Sequence, residues 1–475
     1  MVYNLEKIND FKFKLPKGGD RKIDAFIYSS ENLLIEDEAV EQLSQAAAVP
    51  GVVAALATPD IHTGFGVPIG CVLASLTHVV PAAVGYDINC GMRLINTPFY
   101  AKEFPLHAVV NGLRRIVPLG EGKKNLNVSI ETLDEVLKFG VFGLSAVYEE
   151  VGDRFLGWDP GELENDMKKI EDFGKLSGDP SCVSVHAKER GRQQLGTLGG
   201  GNHFLEIQIV DTIFDSEKAS FFGLEKDKIT IMIHTGSRGL GHQVASDYMK
   251  IAKESKGKKT ARLAAFDGEN PRGKRYINAM NAAANYAYAN RHILTCFVRR
   301  EVRAFTLKDA PLDLIYDVAH NIMKKEIHNN QELFVHRKGA TRAFPKERMK
   351  GTPFNEIGQP VIIPGSMGTA SYLLLPGPNV EETLCSVNHG AGRVMSRTAA
   401  SGRNRRGKKK GQAAISDSRF RESMKGILLI CEDKRTIKEE APDAYKDIDE
   451  VVRVVQGAGL AVPIARMRPL AVLKG

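Results

Sequence analysis

The chain has 475 residues, 43% of them apolar and 26% charged, with a formal net charge of +8. That length exceeds one ordinary core, so two or three domains, or one large core with insertions, are expected. No run approaches the roughly 18 apolar residues of a membrane helix, the first residues carry no apolar export segment, and six scattered cysteines without a Cys-x-x-Cys pair argue against a disulfide framework and suit a reducing cytoplasm.

The positive excess is compatible with a polyanionic partner. Residues 1–50 read as a lead-in, with a strand over 24–28 and a helix over 36–48. The stretch 58–70 (Thr-Pro-Asp-Ile-His-Thr-Gly-Phe-Gly-Val-Pro-Ile-Gly) is dense in Gly and Pro and reads as a constrained loop. Residues 85–93, Gly-Tyr-Asp-Ile-Asn-Cys-Gly-Met-Arg, follow an apolar run and place Asp87 and Cys90 three residues apart between glycines. Residues 105–180 read as largely helical and chemically quiet, with charged and apolar positions alternating at helical spacing over 130–150 and 161–173.

The middle of the chain repeats one theme: a strand-type apolar run that ends in a histidine. Residues 229–233 lead to His234, 314–319 to His320, and 384–388 to His389, while His203 stands just before the strand Phe204–Val210. Strand ends fix a side chain on rigid backbone while an adjoining loop gives access. Residues 275–304, rich in Ala and Asn, form a helix whose small side chains imply close packing. Residues 401–411 form a basic loop with six positive charges between Arg403 and Lys410. Such a run is either a solvated surface or a contact for a phosphate backbone. A helix near 445–456 and an apolar stretch over 460–473 close the chain.

Asp87, Cys90, His203, His234 and His320 together are rich enough in donors for two divalent ions. The donor types do not choose the metal: imidazole and thiolate favour zinc, whereas carboxylate and open positions suit manganese. Two such ions, about 3.5–4 Å apart, serve phosphoryl chemistry. Glycines 199–201 before Asn202 let backbone amides approach an anion. Arg238, in Gly236-Ser237-Arg238-Gly239, could fork onto a phosphate.

These residues resemble the RtcB-type RNA-splicing ligases. The stretches that carry the resemblance are 59–70, 85–93, 194–204, 234–239, 279–290, 318–321, 364–368, 389–393 and the final Lys474-Gly475, in the family's order. The resemblance implies an α+β (mixed α/β) fold with a large β-rich core wrapped by helices and an active site in a central cleft. It implies one catalytic domain over 1–475, with 105–180 as a helical layer or insertion and 401–411 as a basic surface loop. The activity implied is GTP- and manganese-dependent: RNA ending in a 2′,3′-cyclic phosphate or 3′-phosphate is joined to RNA with a 5′-hydroxyl, in tRNA splicing or RNA repair. A cytoplasmic monomer with two Mn2+ ions, and an archease-like activator, are the matching expectations.

In family terms Asp87, Cys90, His203, His234 and His320 match the metal ligands, and His389 matches the histidine that takes GMP. Asn202, His203, Phe204, Leu205, Glu206, His320, Asn321, Pro364, Gly365, Ser366, Met367, Ser371, His389, Gly390, Ala391, Gly392 and Lys474 match the guanylate-binding segments. His389 is then the nucleophile toward the α-phosphorus of GTP, with Asp60 as an orienting carboxylate or simply a loop cap. Glu206 can accept from guanine N1 and N2, Lys474 can donate to O6, and Arg238 can meet an RNA phosphate. Thr63, where many members carry Trp, and the basic run at 403–410 depart from the pattern. A metal-dependent phosphodiesterase or phosphatase with a phosphohistidine intermediate is the enzymatic alternative. An RNA-binding or metal-storage protein is the other.

Overall fold

A computed structural model describes residues 3–256, 263–403 and 408–475. Within the basic stretch 401–411, residues 404–407 lie outside the described residues. Among the described residues two large sheets carry most of the strands. One runs in the order Leu314–Ala319, Gly91–Tyr100, Lys228–Thr235, Phe204–Ile213, Ala461–Lys474, Ser371–Pro376, Val361–Ile363, with Leu428–Cys431 pairing alongside Ala461–Lys474. The other runs Glu6–Asn9, Lys12–Leu15, Ala25–Tyr28, Val52–His62, Ile69–Ser75, Gln331–Lys338, Asn321–His328. Their pairing is antiparallel except for Ala25–Tyr28 with Val52–His62 and Leu428–Cys431 with Ala461–Lys474. Helices pack around this β-rich centre, so the architecture is α+β.

Register decides where the chemistry lies. Gly91 pairs with Ala319 on one side and Thr235 on the other, and Phe204 pairs with His234. The 85–90 loop, His203, His234 and His320 are therefore delivered to one end of the first sheet. The backbone ties them further: His320 N donates to Cys90 O (2.8 Å), and Asn89 N to Asn321 O (2.6 Å). Gly91 has no room for a side chain, because a Cβ there would meet Val318 O at 2.5 Å and Arg291 Cζ at 3.1 Å.

The helix over Pro271–Thr306 is longer than the 275–304 expectation and begins where Asn270 caps Gly273 N, with Pro271 in the first turn. Its alanines between Ala279 and Ala289 are fully buried, which lets its backbone come close to the sheet. The Asn and Arg residues between them reach the loops of the functional end. Asn290 accepts from Gly196 N (2.8 Å) and donates to Thr197 O. Arg291 donates to Asn89 O (2.7 Å) and Thr235 O (3.1 Å), the carbonyls beside Cys90 and His234. Asp317, itself fully buried, holds both Arg291 and Arg93.

Residues 105–180 contribute the helices Leu106–Ile116, Ile130–Phe139, Leu144–Val151 and Pro160–Met167, with short 3-10 segments at Gly140–Gly143, Gly152–Arg154 and Glu171–Gly174. Leu113, Leu133, Val136, Leu137 and Val147 join the core formed with the long helix. The loop expected over 58–70 is shorter than its composition suggests: strand Val52–His62 runs through Thr58, Pro59 and Asp60, and Ile69–Ser75 resumes the ladder. A register shift between Ala57 and His62 takes Pro59, which has no amide hydrogen to give, out of the ladder. Lys446 Nζ binds the carbonyls of Pro59 and Ile61 instead.

Candidate active site and metal centre

Five potential ligand atoms converge at the end of the first sheet. Cys90 Sγ lies 3.3 Å from His203 Nε2 and 3.2 Å from His234 Nε2, and His234 Nε2 lies 3.3 Å from His320 Nε2. Asp87 Oδ2 approaches His203 Nε2 at 2.8 Å. Two groups result, Asp87/Cys90/His203 and Cys90/His234/His320, each with its ligand atoms within 4.8 Å of one another. Cys90 belongs to both. The turn is set by Cys90 N donating to Asp87 O and by Asn89 in the left-handed region at φ 55°. Gly236 is required beside it, since a Cβ there would sit 2.5 Å from the Asp87 carboxylate.

The donor set fits cations. Burial holds His203, His234 and His320 below the ordinary imidazole range, so each ring is neutral at neutral pH, with one nitrogen that accepts and one that carries the proton. Burial works to raise the Asp87 carboxyl, but His203 and then Arg238 prevail and keep it ionised. The Cys90 thiol is pushed up by burial and by Asp87, and a bound cation would reverse that by stabilising the thiolate. Neutral imidazoles, one carboxylate and one thiol packed this closely form a ligand set short of its positive charge.

His389 stands next to this cluster, its ring 4.8 Å from that of His320. It follows strand Ser386–Asn388, which pairs with Ala340–Arg342. Its Nδ1 lies 2.6 Å from Oδ2 of the fully buried Asp60. Thr58 Oγ1 donates to the other Asp60 oxygen at 2.6 Å. Nδ1–H donates to the carboxylate, which leaves the Nε2 lone pair available.

A cavity of about 310 Å³ opens beside His389. Asn202, Phe204, Asn321, the 364–367 segment, the 390–392 segment and Lys474 line it. Leu205, Glu206 and Ser371 do not. Leu205 points into the apolar core. Glu206 and Ser371 lie behind the wall, joined through Gln208, whose Nε2 donates to Glu206 Oε2 (2.7 Å) and Ser371 Oγ (3.1 Å). Burial raises the Glu206 carboxyl to about 8, against the opposing effects of Gln208 and Lys474. Lys474 is 3% exposed at the end of strand Ala461–Lys474, so it is an anchored wall residue and not a frayed end.

Several wall residues carried no signal in the sequence. Glu440 gathers Lys474 (3.7 Å), Arg397 (3.3 Å) and the Tyr445 hydroxyl. Lys338 donates to Phe65 O (2.6 Å) and Val67 O (3.1 Å), and burial lowers it to about 8. Thr63 is not in the wall; its amide binds Glu36.

On the far side of Asp87 and His203 the cavity gives way to a wider groove of about 1090 Å³. Lys124, Arg190, Arg238, Arg397 and His242 line it, and Asn202 and Tyr86 border both spaces. Arg238 is thus a groove residue; its Nη1 lies 3.3 Å from His203 Nδ1, and its Nε donates to Thr197 Oγ1.

The family model described as "tRNA-splicing ligase RtcB" matches residues 42–475. A protein of that name from Nanoarchaeum equitans is 43% identical over the whole of both chains. One from Thermococcus kodakarensis is 40% identical over 99% of each. An "RNA-splicing ligase RtcB homolog 2" from Entamoeba dispar is 40% identical over 92% of this chain and 83% of its own.

Proposed function

The chain belongs to the tRNA-splicing ligase RtcB family, and on that premise we propose that it joins RNA ends through a guanylate carried on His389. It is an RNA ligase that acts in tRNA splicing, and its substrates are RNA ends. We assign GTP as the nucleotide and two manganese ions as the metals. Asp87, Cys90 and His203 would hold one ion, and Cys90, His234 and His320 the other. When bound, the ions supply positive charge that offsets the charge building on phosphate oxygens.

The observation that carries this reading is the Asp60–His389 contact at 2.6 Å beside the His320 ring. His389 Nε2 attacks the α-phosphorus of GTP; the bond to the bridging oxygen breaks and pyrophosphate leaves with its electron pair. Asp60 keeps the Nδ1 proton and stabilises the charge that the ring acquires. Guanine fits toward Lys474, whose ammonium suits O6 where adenine would present an amine, while Glu206 stands one layer behind that wall, bonded to Gln208. GMP then passes to the RNA 3′-phosphate, the cyclic form having first been opened by water. The 5′-hydroxyl next displaces GMP from that activated end. Arg238 supports the path by meeting an RNA phosphate in the groove. An archease-like activator and a monomeric state complete the reading. The phosphatase alternative is not favoured, because the relatives at 38–43% identity carry the ligase name.

The test is incubation with manganese and α-labelled GTP. The label should be trapped in an acid-labile, alkali-stable bond, and His389→Ala should trap none. Label retained by His389→Ala, or none on the unaltered chain, would overturn the assignment.

A further inference from the structure

Three rings form a row at the border between the cavity and the groove. Phe65 lies 5.4 Å from Tyr86, tilted by 48°, and Tyr86 stacks on His242 at 4.8 Å with planes only 20° apart. Phe65 lines the cavity, His242 lines the groove, and Tyr86 lines both. Phe65 is 46% exposed and His242 is exposed as well. Lys253 Nζ sits over the Phe65 ring at 5.7 Å. Aromatic side chains on a soluble surface are usually covered in the folded state; a row with one stacked pair and exposed rings at both ends, beside a catalytic centre, has the form of a platform for another flat ring.

The place of the row tells which ring it serves. Tyr86, the middle ring, immediately precedes Asp87, so the row passes beside the metal centre on its way to the groove. In the joining step the 5′-hydroxyl oxygen bonds to the 3′-phosphorus while the bond from that phosphorus to GMP breaks. GMP leaves with the electron pair and the hydroxyl proton passes to water. The entering and leaving oxygens lie roughly in line across phosphorus. GMP occupies the His389 cavity, so the entering strand comes from the opposite side, which is the groove. Lys124, Arg190 and Arg238 line that groove and suit a phosphate backbone.

We propose that the row Phe65–Tyr86–His242 is a stacking platform for the base of the nucleotide that bears the 5′-hydroxyl, and that it positions this nucleotide for attack. The proposal rests on the ligase reading above. The platform recognises any base, since every base offers a π-face, so it holds the strand end without selecting its sequence. Its residues are positioning residues and touch no reacting atom.

The experiment measures joining by the full chain with GTP and manganese, with the 3′-phosphate strand saturating and the 5′-hydroxyl strand varied. His242→Ala should raise the KM for the 5′-hydroxyl strand about tenfold, and His242→Phe should restore most of it. An abasic 5′-terminal nucleotide should raise the KM of the unaltered enzyme similarly and add little in His242→Ala. A KM unchanged by His242→Ala, a penalty that follows an abasic 3′-phosphate nucleotide instead, or indifference of the unaltered enzyme to the missing 5′ base would each overturn the proposal. Labelling by GTP in the same preparations separates the two ideas: an unaltered chain that takes no label strikes at the ligase reading, whereas labelled enzyme with normal use of the abasic end strikes at the platform alone.

Discussion

Asp60 and His389 are 329 positions apart in the chain, yet Oδ2 of one lies 2.6 Å from Nδ1 of the other. The contact fixes the tautomer of the ring and aims Nε2 away from the strand that carries Asp60. Gly392 makes it possible, because a Cβ there would collide with Asp60 O at 2.3 Å.

Asp60→Asn should keep the fold but offer the ring an amide in place of a carboxylate. The ring loses its fixed tautomer and the compensation for its positive charge. Self-guanylation should fall by about a hundredfold or more, with the apparent affinity for GTP little changed. A labelling time course at several GTP concentrations reads both; a rate equal to that of the unaltered chain would remove Asp60 from the mechanism.

Cys90→Ala removes the atom shared by both ligand groups, and Asp87→Ala removes the carboxylate from one. Each should abolish guanylation. They should differ in metal content: Cys90→Ala should weaken both positions, Asp87→Ala chiefly that of His203. Titration calorimetry with manganese, done on the apo-protein, distinguishes the two patterns. Full self-guanylation by either variant would refute the ligand assignment.

Glu206 gives a pH signature. Its folded carboxyl titrates near 8, raised by burial, while in the unfolded chain it titrates near the ordinary carboxylate value. Between those values the folded protein binds the extra proton, so this group's contribution to stability declines as pH rises from about 5 to 8 and is level above that. Glu206→Gln cannot ionise and should gain on the unaltered protein across this window. Urea unfolding of both at pH 5, 6.5 and 8 checks it. A constant difference would mean that the carboxyl is not held protonated.

Asp317 faces Arg93 and Arg291, all three fully buried. Asp317→Asn leaves two guanidinium groups without their counter-charge, which should cost about 3–5 kcal/mol. Chemical denaturation measures the loss. Because Arg291 also holds the carbonyls beside Cys90 and His234, manganese affinity should fall as well. A variant of unchanged stability would show that the pair is not what secures the helix to the metal loop.

The residues whose chemistry is unusual for their surroundings were legible in the sequence. A histidine that ends an apolar run, or Asp and Cys between glycines, stands out because strands seldom end that way without purpose, and the register then brings those ends together. Composition misled at 58–62, where Pro and Asp suggested a loop but a bulge absorbs both within a strand. Glu440, Arg397, Tyr445 and Lys338 were not visible. Each is an ordinary charged or polar residue, and only tertiary packing makes it part of the wall. Glu206 and Ser371 show the opposite case: matched to the guanylate segments by the resemblance, they lie one layer behind the cavity surface, linked through Gln208.

The pairing of Met92 with His234 and of Phe204 with His234 has a consequence for assembly of the enzyme. A strand that slipped by a single position would turn the imidazole to the opposite face of the sheet. Such a chain could be compact and helical and still be blind to cations. Uptake of a coloured ion such as cobalt during refolding would therefore time the moment at which these strands lock into alignment, and it would distinguish finished molecules from collapsed ones in the same tube.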